Sequence, residues 1–255
     1  MAMKFKPKLA PTIATLIVLP ILMSLGFWQL DRAELKQQQL DTYTKRSKQV
    51  ALKLKATDNI AVMNTDDLLY TSIEAKGRYD IKRSFLIDNR VHKGQVGFYV
   101  ITPFIIESEN GTPTNGKQSN NAVLVNRGWI KGNRLRSELP TFDTTNAKIS
   151  IKGLGYVPSE NFFAVDNVKI DAQINPTVIQ SVDFKAIQEA LAKDVYPFIL
   201  RLDPKNESGF IREWPIVTSS PEKSQSYAAQ WFTMALVVLI IFLSSCFNFK
   251  REKTA

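Results

Sequence analysis

The chain has very few of the side chains that most often carry catalysis or bind metals. Its 255 residues include one cysteine, Cys246, and one histidine, His92. One cysteine cannot form an internal disulfide, and a zinc site needs three or four histidine, cysteine or carboxylate ligands. His92 lies in a polar turn without positioned acid–base partners, and no phosphate-loop, dinucleotide-binding or nucleophile-elbow pattern occurs. We therefore predict a protein that is not an enzyme and has no metal site.

The positive net charge of +9 lies largely at the chain ends. Residues 1–8 and 250–255 together hold six Lys or Arg and one Glu, which leaves 27 basic and 23 acidic residues in the rest of the chain. These remaining charges are interspersed, which is typical of a solvated surface and not of a nucleic-acid-binding face. We therefore expect no nucleic-acid partner.

Two long runs contain no charged residue, at positions 9–30 and 224–249. Each exceeds the roughly 20 residues that a helix needs to cross the hydrocarbon core of a bilayer, and a helix satisfies its own backbone polar groups in lipid. A cleaved signal peptide would have an apolar part of about 7–15 residues followed by small residues, whereas Phe27, Trp28 and Gln29 occupy that place here. Both runs are therefore predicted to be transmembrane helices.

Basic residues at both chain ends predict the orientation of these helices. Lys and Arg close to a membrane-spanning segment favour the cytoplasmic side, or the matrix side in a mitochondrion. Residues 1–8 and 250–255 are therefore expected to be cytoplasmic tails, and residues 31–223 a domain on the opposite side, the periplasm in a bacterium. We expect a multi-pass protein of the bacterial inner (plasma) membrane.

The segment between the helices has the pattern of a β domain. Short apolar alternations end in turn residues, residues 181–194 have the spacing of a short helix, and a Gly-, Asn- and Ser-rich stretch at 108–121 predicts a hairpin loop. The predicted strands lie at residues 69–80, 84–90, 97–107, 121–130, 148–157 and 196–204. The predicted fold is two transmembrane helices flanking an extramembrane, mainly antiparallel β domain, either a sandwich or a partly open barrel, with one short helix.

The other signals in this segment have structural interpretations. Residues 31–50 are polar and are predicted to extend the first helix before it frays into a linker. Arg90 and Arg127 each follow an asparagine at a strand end, where a salt bridge within the sheet is expected more often than a partner contact. Trp129 is expected in the core.

The end of the first apolar run carries a candidate site. Trp28 and Arg32 are four residues apart and share a helix face, which Lys36 continues. Gly26 permits another backbone or a flat ligand to approach closely. The amide of Gln29 is costly in lipid unless a neighbour pairs with it. This face is therefore predicted to meet something other than lipid.

The start of the second run carries a matching face. Tyr227, Gln230 and Trp231 are spaced i, i+3 and i+4, which places them on one side of a helix. The aromatic belt at membrane–water interfaces is an alternative explanation of the tyrosine and tryptophan. The belt does not explain why Gln29 and Gln230 each stand beside a tryptophan at that depth.

The motifs of the chain resemble those of a known family. They are Gly26-Phe27-Trp28-Gln29 with Arg32, then RYD, DNR, GFYVITPF and VNRGW, and finally YAAQWF. In this order, and over nearly the whole chain, they resemble the Surfeit-locus protein 1 family, assembly factors for haem–copper cytochrome c oxidase. The resemblance implies an inner-membrane protein that assists maturation of the largest, haem-bearing subunit, with that subunit and the membrane as its partners.

The resemblance also implies an alternative function, because some bacterial members are associated with binding a-type haem and supplying it to this subunit. Such a haem a carrier would have the haem a synthesis machinery as a further partner. The residues that match a cofactor-binding face are Trp28, Tyr227, Gln230 and Trp231. The residues that match a partner-binding face are Gly26, Gln29 and Arg32.

One position departs from the family pattern. A histidine, the candidate iron ligand, commonly lies three residues before the tyrosine of the last motif, and this chain has Ser224 there. A hydroxyl is a poor haem ligand, whereas histidine is a usual one. Met23, Met234 and Tyr227 are other side chains able to coordinate iron, and their spacing singles none of them out. Both functions therefore stay open at the level of sequence.

Overall fold

The computed structural model describes residues 4–5, 7–107, 121–135, 138–158, 170 and 174–248. The chain divides into two compact units. The helical unit comprises Met1–Thr42 and Pro215–Ala255, and the barrel unit comprises Tyr43–Trp214. The hairpin loop predicted at 108–121 lies outside the described residues, apart from Asn121.

The described part of the chain contains three α-helices, ten strands and a short 3₁₀ helix at Ile60–Val62. The helices are α1 (Leu9–Ser47), α2 (Phe184–Leu191) and α3 (Pro221–Cys246). The strands are β1 (Lys4–Phe5), β2 (Leu52–Lys53), β3 (Ser72–Tyr79), β4 (Phe85–His92), β5 (Gln95–Ile106), β6 (Asn121–Lys131), β7 (Ile149–Tyr156), β8 (Thr177–Ile179), β9 (Asp194–Leu202) and β10 (Phe247–Asn248). All six predicted strands and the predicted short helix are confirmed. The strands that sequence reasoning missed have two or three residues, too few to show a period.

Five strands of the barrel unit close into a barrel in the order β3, β7, β9, β6 and β5. The barrel closes because β3 pairs with β7 on one side and with β5 on the other, where Gly77 lies opposite Ile106. A Cβ at Gly77 would overlap the carbonyl oxygen of Ile105, so the close strand approach requires glycine there. The predicted β domain is confirmed, and of the two predicted forms it is a barrel, which is closed rather than partly open.

Most neighbouring strands in this sheet are antiparallel. The exceptions are β6 with β9, β4 with β8, and β2 with β3, which pair in parallel. The strands β2, β4 and β8 extend the sheet beyond the closed ring. Closure satisfies the backbone hydrogen bonds that an open sheet would leave exposed along its edges.

Every second side chain along a strand points into the barrel, and these side chains are mostly apolar. Large residues without solvent exposure come from several strands, among them Phe104, Tyr196 and Phe198. A second apolar cluster lies on the outer side of the sheet, where Ile187 and Leu191 of α2 pack against residues of β4, β5, β6 and β9. Two layers of apolar packing therefore cover both sides of these strands.

The short helix α2 has the capping that its sequence predicts. The side chain of Asp183 accepts a hydrogen bond from the backbone N–H of Ala186 at 3.0 Å. The helix ends at Ala192, whose φ of 51° lies in the left-handed region. These two ends fix the eight-residue helix over the outer apolar cluster.

Among the described residues, Arg127 does not make the salt bridge that was predicted for it. Its side chain is buried, and its guanidinium donates to the carbonyl oxygens of Asp143 and Ser208, each at 3.1 Å, and to the hydroxyl of Thr144 at 2.8 Å. Burial lowers its pKa, and the neighbouring Tyr79 opposes this change. The prediction for Trp129 is confirmed, since it is buried and donates from Nε1 to the Arg90 carbonyl oxygen at 2.8 Å.

The helices α1 and α3 are long and apolar enough to cross a membrane. Only 6% and 11% of the residues in their most apolar stretches are buried, so neither is the core helix of a folded domain. These two helices are consistent with a membrane-anchored protein. The predicted membrane segments, residues 9–30 and 224–249, and the assignment of the tails and the central domain to opposite sides stay predictions.

Candidate functional site

Within the helical unit, α1 and α3 pack against each other at two well-defined contacts. Gly26 is buried, and a Cβ at this position would overlap the ring of Phe232. Ten residues further along α1, the Nζ of Lys36 donates to Ser224 Oγ at 2.7 Å. Since α1 advances from Gly26 to Lys36 while α3 goes back from Phe232 to Ser224, the two helices are antiparallel.

Small side chains are prominent among the buried residues of these helices. Ala33, Ala228 and Ala235 are 4%, 1% and 3% exposed, and Gly26 and Ala33 are one heptad apart, as are Ala228 and Ala235. Lipid is as apolar as a helix surface, so helices in a bilayer associate through the close approach that small residues permit. The residue that approaches Gly26 is Phe232 of the same chain, and the predicted partner-binding role of Gly26 stays a prediction.

Lys36 makes the second of these contacts between α1 and α3. Its ammonium donates to Ser219 Oγ at 2.8 Å as well as to Ser224 Oγ. Ser224 is 3% exposed, so its hydroxyl faces the helix contact and not the surroundings. The spacing predicted Lys36 on the face of Trp28 and Arg32, but its side chain reaches across to α3 instead.

One flank of the helix pair is marked by two phenylalanines. The rings of Phe27 and Phe232 meet edge to face, with centroids 5.3 Å apart. With 3.6 residues per helical turn, Trp28 and Arg32 fall on the opposite flank of α1 from Phe27. Tyr227 falls on the opposite flank of α3 from Phe232.

Trp231 lies near the helix contact, on the same side of α3 as Tyr227. The antiparallel register set by Gly26–Phe232 and Lys36–Ser224 puts Trp28 level with Trp231, and Arg32 level with Tyr227. We call these four residues the aromatic flank: Trp28, Arg32, Tyr227 and Trp231.

The aromatic flank is accessible in the chain alone. The side chains of Trp28 and Tyr227 are 53% and 43% exposed, and Trp231 is partly exposed. The Arg32 guanidinium lies over the Trp28 ring, 5.9 Å from its centroid. In the described part of the chain, neither Trp28 nor Trp231 stacks on another aromatic ring.

The two glutamines of the predicted site lie in different surroundings. Gln29 is partly buried on the side of α1 that faces α3, whereas Gln230 is exposed and lies at the far edge of the Tyr227–Trp231 face. Among these residues the structure shows contact between Arg32 and Trp28. By helical position Arg32, Tyr227 and Trp231 fall on one flank, while Trp28 and Gln230 lie towards the sides of α1 and α3 that face away from the other helix. The assignment of any of them to a cofactor or a partner stays a prediction.

The serine at position 224 does not fit a histidine-ligated haem. The Ser224 hydroxyl is buried and bonded to Lys36, and a hydroxyl is in any case a poor iron ligand. The chain's one imidazole, His92, belongs to the barrel unit, where its ring lies 5.1 Å from that of Trp129 and 3.8 Å from a Glu213 carboxylate oxygen. Among the described residues, no group of three or more His, Cys, Asp or Glu could hold a metal ion.

Sequence reasoning missed Phe232, Ser219 and the role of Lys36. The seven-residue spacing of Gly26 with Ala33, and of Ala228 with Ala235, was the available signal for the helix contact. The partners of Lys36 had no such signal, because Ser219 and Ser224 are 183 and 188 residues away in the chain.

In the chain, two membrane-capable helices flank a closed barrel, an arrangement consistent with a membrane-anchored protein. A model of the SURF1 family matches residues 16–236. The chain therefore belongs to the SURF1 family, a family of cytochrome oxidase assembly factors that are not typically enzymes.

Individual relatives agree with this membership. A SURF1-like protein of Rickettsia felis is 25% identical over 242 residues, which cover 91% of this chain and 94% of that protein. A SURF1-like protein of Rickettsia prowazekii is 24% identical over 238 residues, covering 88% and 84%. The Surfeit locus protein 1 of Arabidopsis thaliana is 31% identical over 121 residues, covering 45% and 32%. The similarity to the bacterial proteins thus extends over both helices and the barrel.

Proposed function

We propose that this chain is a membrane-anchored assembly factor for haem–copper cytochrome c oxidase that assists maturation of its largest, haem-bearing subunit. In this proposal the chain lies in the bacterial inner membrane with both tails in the cytoplasm and the barrel in the periplasm. Family membership supports the oxidase, and the Lys and Arg residues at the chain ends support the orientation. The aromatic flank is the proposed contact with the subunit.

The exposure of the aromatic flank carries this proposal. Trp, Tyr and Arg are the residues that most often dominate the binding energy of protein interfaces, and the flank presents all three. Trp28 alone is 53% exposed, and Arg32 lies over its ring. An aromatic belt would require only the rings, so the guanidinium over Trp28 favours a protein partner over lipid.

Two alanine substitutions test the flank. Trp231→Ala and Arg32→Ala are expected to reduce the amount of active oxidase, measured as cytochrome c oxidation in isolated membranes, while the chain stays in the membrane. Leu236→Ala is the matched control, because Leu236 is 55% exposed on α3 and falls on the Phe232 side of the pair. Unchanged oxidase in both variants, or loss of the chain itself, would contradict a docking role for these side chains.

A haem a carrier is the second candidate, and the rings on one flank are the observation that favours it. Trp28, Tyr227 and Trp231 are aromatic side chains at adjacent levels of the helix pair. The buried Ser224 hydroxyl, bonded to Lys36, argues against a ligand at the position where the family has its histidine. The carrier proposal therefore needs iron ligation by another group or by the oxidase subunit.

Absorption spectroscopy separates the two candidates. The full chain would be purified from cells that make a-type haem, and a stoichiometric Soret band would support the carrier. Its absence, with the oxidase subunit co-purifying, would support the assembly factor without haem. Ser224→His supplies the missing imidazole, and it should raise haem retention only if the flank holds haem.

A further inference from the structure

The barrel unit contains an arginine that lies close to two aromatic rings. Arg201 lies on β9 between Leu200 and Leu202, which both point into the barrel, so its side chain is on the outer side of the sheet. Its guanidinium carbon is 3.7 Å from the centroid of the Tyr156 ring and 5.5 Å from that of the Trp214 ring. An arginine beside aromatic rings gains cation–π attraction from them.

A second arginine adjoins this cluster. The rings of Trp214 and Tyr99 have their centroids 5.7 Å apart, and the guanidinium carbon of Arg90 is 5.8 Å from the Tyr99 centroid. The Nε of Arg90 is buried and has no hydrogen-bond partner. The partly exposed residues of this cluster, which we call the arginine–aromatic patch, are Arg90, Tyr99, Tyr156, Arg201 and Trp214.

Among the residues that the structure describes, no carboxylate acts on Arg201. The groups whose charge acts on Arg201 are the phenols of Tyr156, Tyr99 and Tyr70, while burial lowers the pKa of Arg201. Glu213 precedes Trp214 in the chain, but its carboxylate lies 3.8 Å from His92 Nδ1 and 3.4 Å from Lys93 Nζ. A partly buried cation without a counterion is unfavourable unless an acceptor reaches it.

The structural arginines of the same unit behave differently. Arg127 donates to two carbonyl oxygens and a hydroxyl, and Arg212 donates to the carbonyl oxygens of three residues of its own loop. In the part of the chain described, the hydrogen-bond partner of the Arg201 guanidinium is the phenol of Tyr156, and it has no carbonyl or carboxylate partner. Its N–H donors are therefore not used to hold the backbone.

We propose that the arginine–aromatic patch is a binding site for carboxylate groups, with Arg201 as the bidentate partner and Arg90 as a second cation. The rings of Tyr156 and Trp214 lie near the Arg201 guanidinium, and a guanidinium presents its N–H donors along the edge of its plane. A carboxylate is planar and forms two parallel hydrogen bonds with such an edge. The carboxylate comes either from an acidic segment of a partner polypeptide or from a free dicarboxylic acid. This site does not depend on the proposed role in oxidase assembly.

Calorimetric titration of the full chain in detergent tests the site. The probes are an acetylated peptide containing three glutamates, the same peptide with glutamines, and succinate. We expect the glutamate peptide or succinate to bind, and Arg201→Gln to weaken that binding about tenfold or more, as loss of hydrogen bonds to a charged group does. Binding of the peptide but not succinate identifies a polypeptide source, and equal binding of succinate identifies a free acid.

Three further variants serve as controls for the Arg201→Gln measurement. Arg134→Gln removes one charge at an exposed position elsewhere on the unit and should leave binding unchanged. Arg201→Lys keeps the charge without the planar edge and should bind as weakly as Arg201→Gln. Arg90→Gln leaves Arg201 and its two rings in place, so it tests the patch if an Arg201 variant unfolds, and it should weaken binding several-fold. No binding by the wild-type chain, full binding by Arg201→Lys, or equal loss in Arg134→Gln would overturn the proposal.

Discussion

The barrel unit and the helical unit are held together by different means. The barrel encloses a continuous cluster of buried apolar side chains from five strands. The two long helices bury mainly small residues, and most of their large apolar side chains stay exposed. In water, burial of apolar area supplies the stability, whereas in lipid close packing and polar contacts between helices must supply it. The helical unit can therefore leave a large surface free for a partner.

The two units also use cations differently. Lys36 joins two helices through serine hydroxyls, and Arg127 holds loop carbonyls inside the barrel unit. Arg201 does neither, which is why it stands out as a site for an external acceptor. Lys36 and Arg127 therefore stabilise the structure, whereas Arg201 is the cation that we propose for ligand binding.

The largest expected effect is on the barrel. Phe198→Ala removes a ring that is fully buried in the barrel core, and it should lower the free energy of unfolding by about 3–5 kcal/mol. Urea unfolding of the full chain in detergent, followed by circular dichroism, measures this loss. Val178→Ala, at a position that is 38% exposed, should change it by about 0.5 kcal/mol at most. Similar losses in both variants would mean that core burial does not dominate this unit.

A change at Gly26 should separate the helices without unfolding the barrel. Gly26→Val places a side chain where the Phe232 ring lies, and overpacking of this kind costs about 1–3 kcal/mol. In a Cys246→Ser background, oxidative cross-linking of Ala33→Cys with Ala228→Cys reports the helix contact and should fall.

The control for this substitution is on the same helix. Ser24 is exposed, so Ser24→Val should leave the cross-link yield unchanged. Equal yields in the Gly26 and Ser24 variants would show that close approach at Gly26 is not needed for the pair.

A smaller effect is expected at Lys36. Lys36→Met leaves the buried Ser224 hydroxyl without its donor, a loss of about 1–3 kcal/mol for a buried polar group. The same cross-linking assay should show a partial decrease, while Lys45→Met, at an exposed position of α1, should show none. If the two methionine variants behave alike, the hydroxyl contacts do not stabilise the helix pair.

The smallest effect is an alkaline pH dependence of the barrel. Burial raises the pKa of Tyr79 above its ordinary value of 10.0, opposed by the Ser208 hydroxyl and by Arg127 and Arg212. Because the folded pKa is the higher one, the unfolded state ionises first, so stability is complete below about pH 10 and falls as the pH rises further. Urea unfolding from pH 8 to 11 should show a flatter profile for Tyr79→Phe, and parallel profiles would contradict this assignment.

Periodicity predicted the elements of the fold well. Strands from β3 to β9 with eight or more residues were found because alternation repeats several times within each. The short strands β2 and β8 were not found, because two or three residues show no period. Closure at Gly77 was not predicted either, since it depends on β3 and β5 meeting in space. The aromatic flank was found in part, because Trp28 and Arg32 are one helical turn apart.

The sequence by itself determined the two apolar helices, the strand pattern and the family, because hydrophobic length, alternation and ordered motifs are properties of local segments. Only the tertiary structure decided that the barrel closes, that Lys36 bonds Ser224 across 188 residues, and that Tyr156 and Trp214 lie near Arg201. These contacts join residues from separate elements, and their energy depends on distance in space. A local sequence pattern does not show which distant residues come close together in the folded chain.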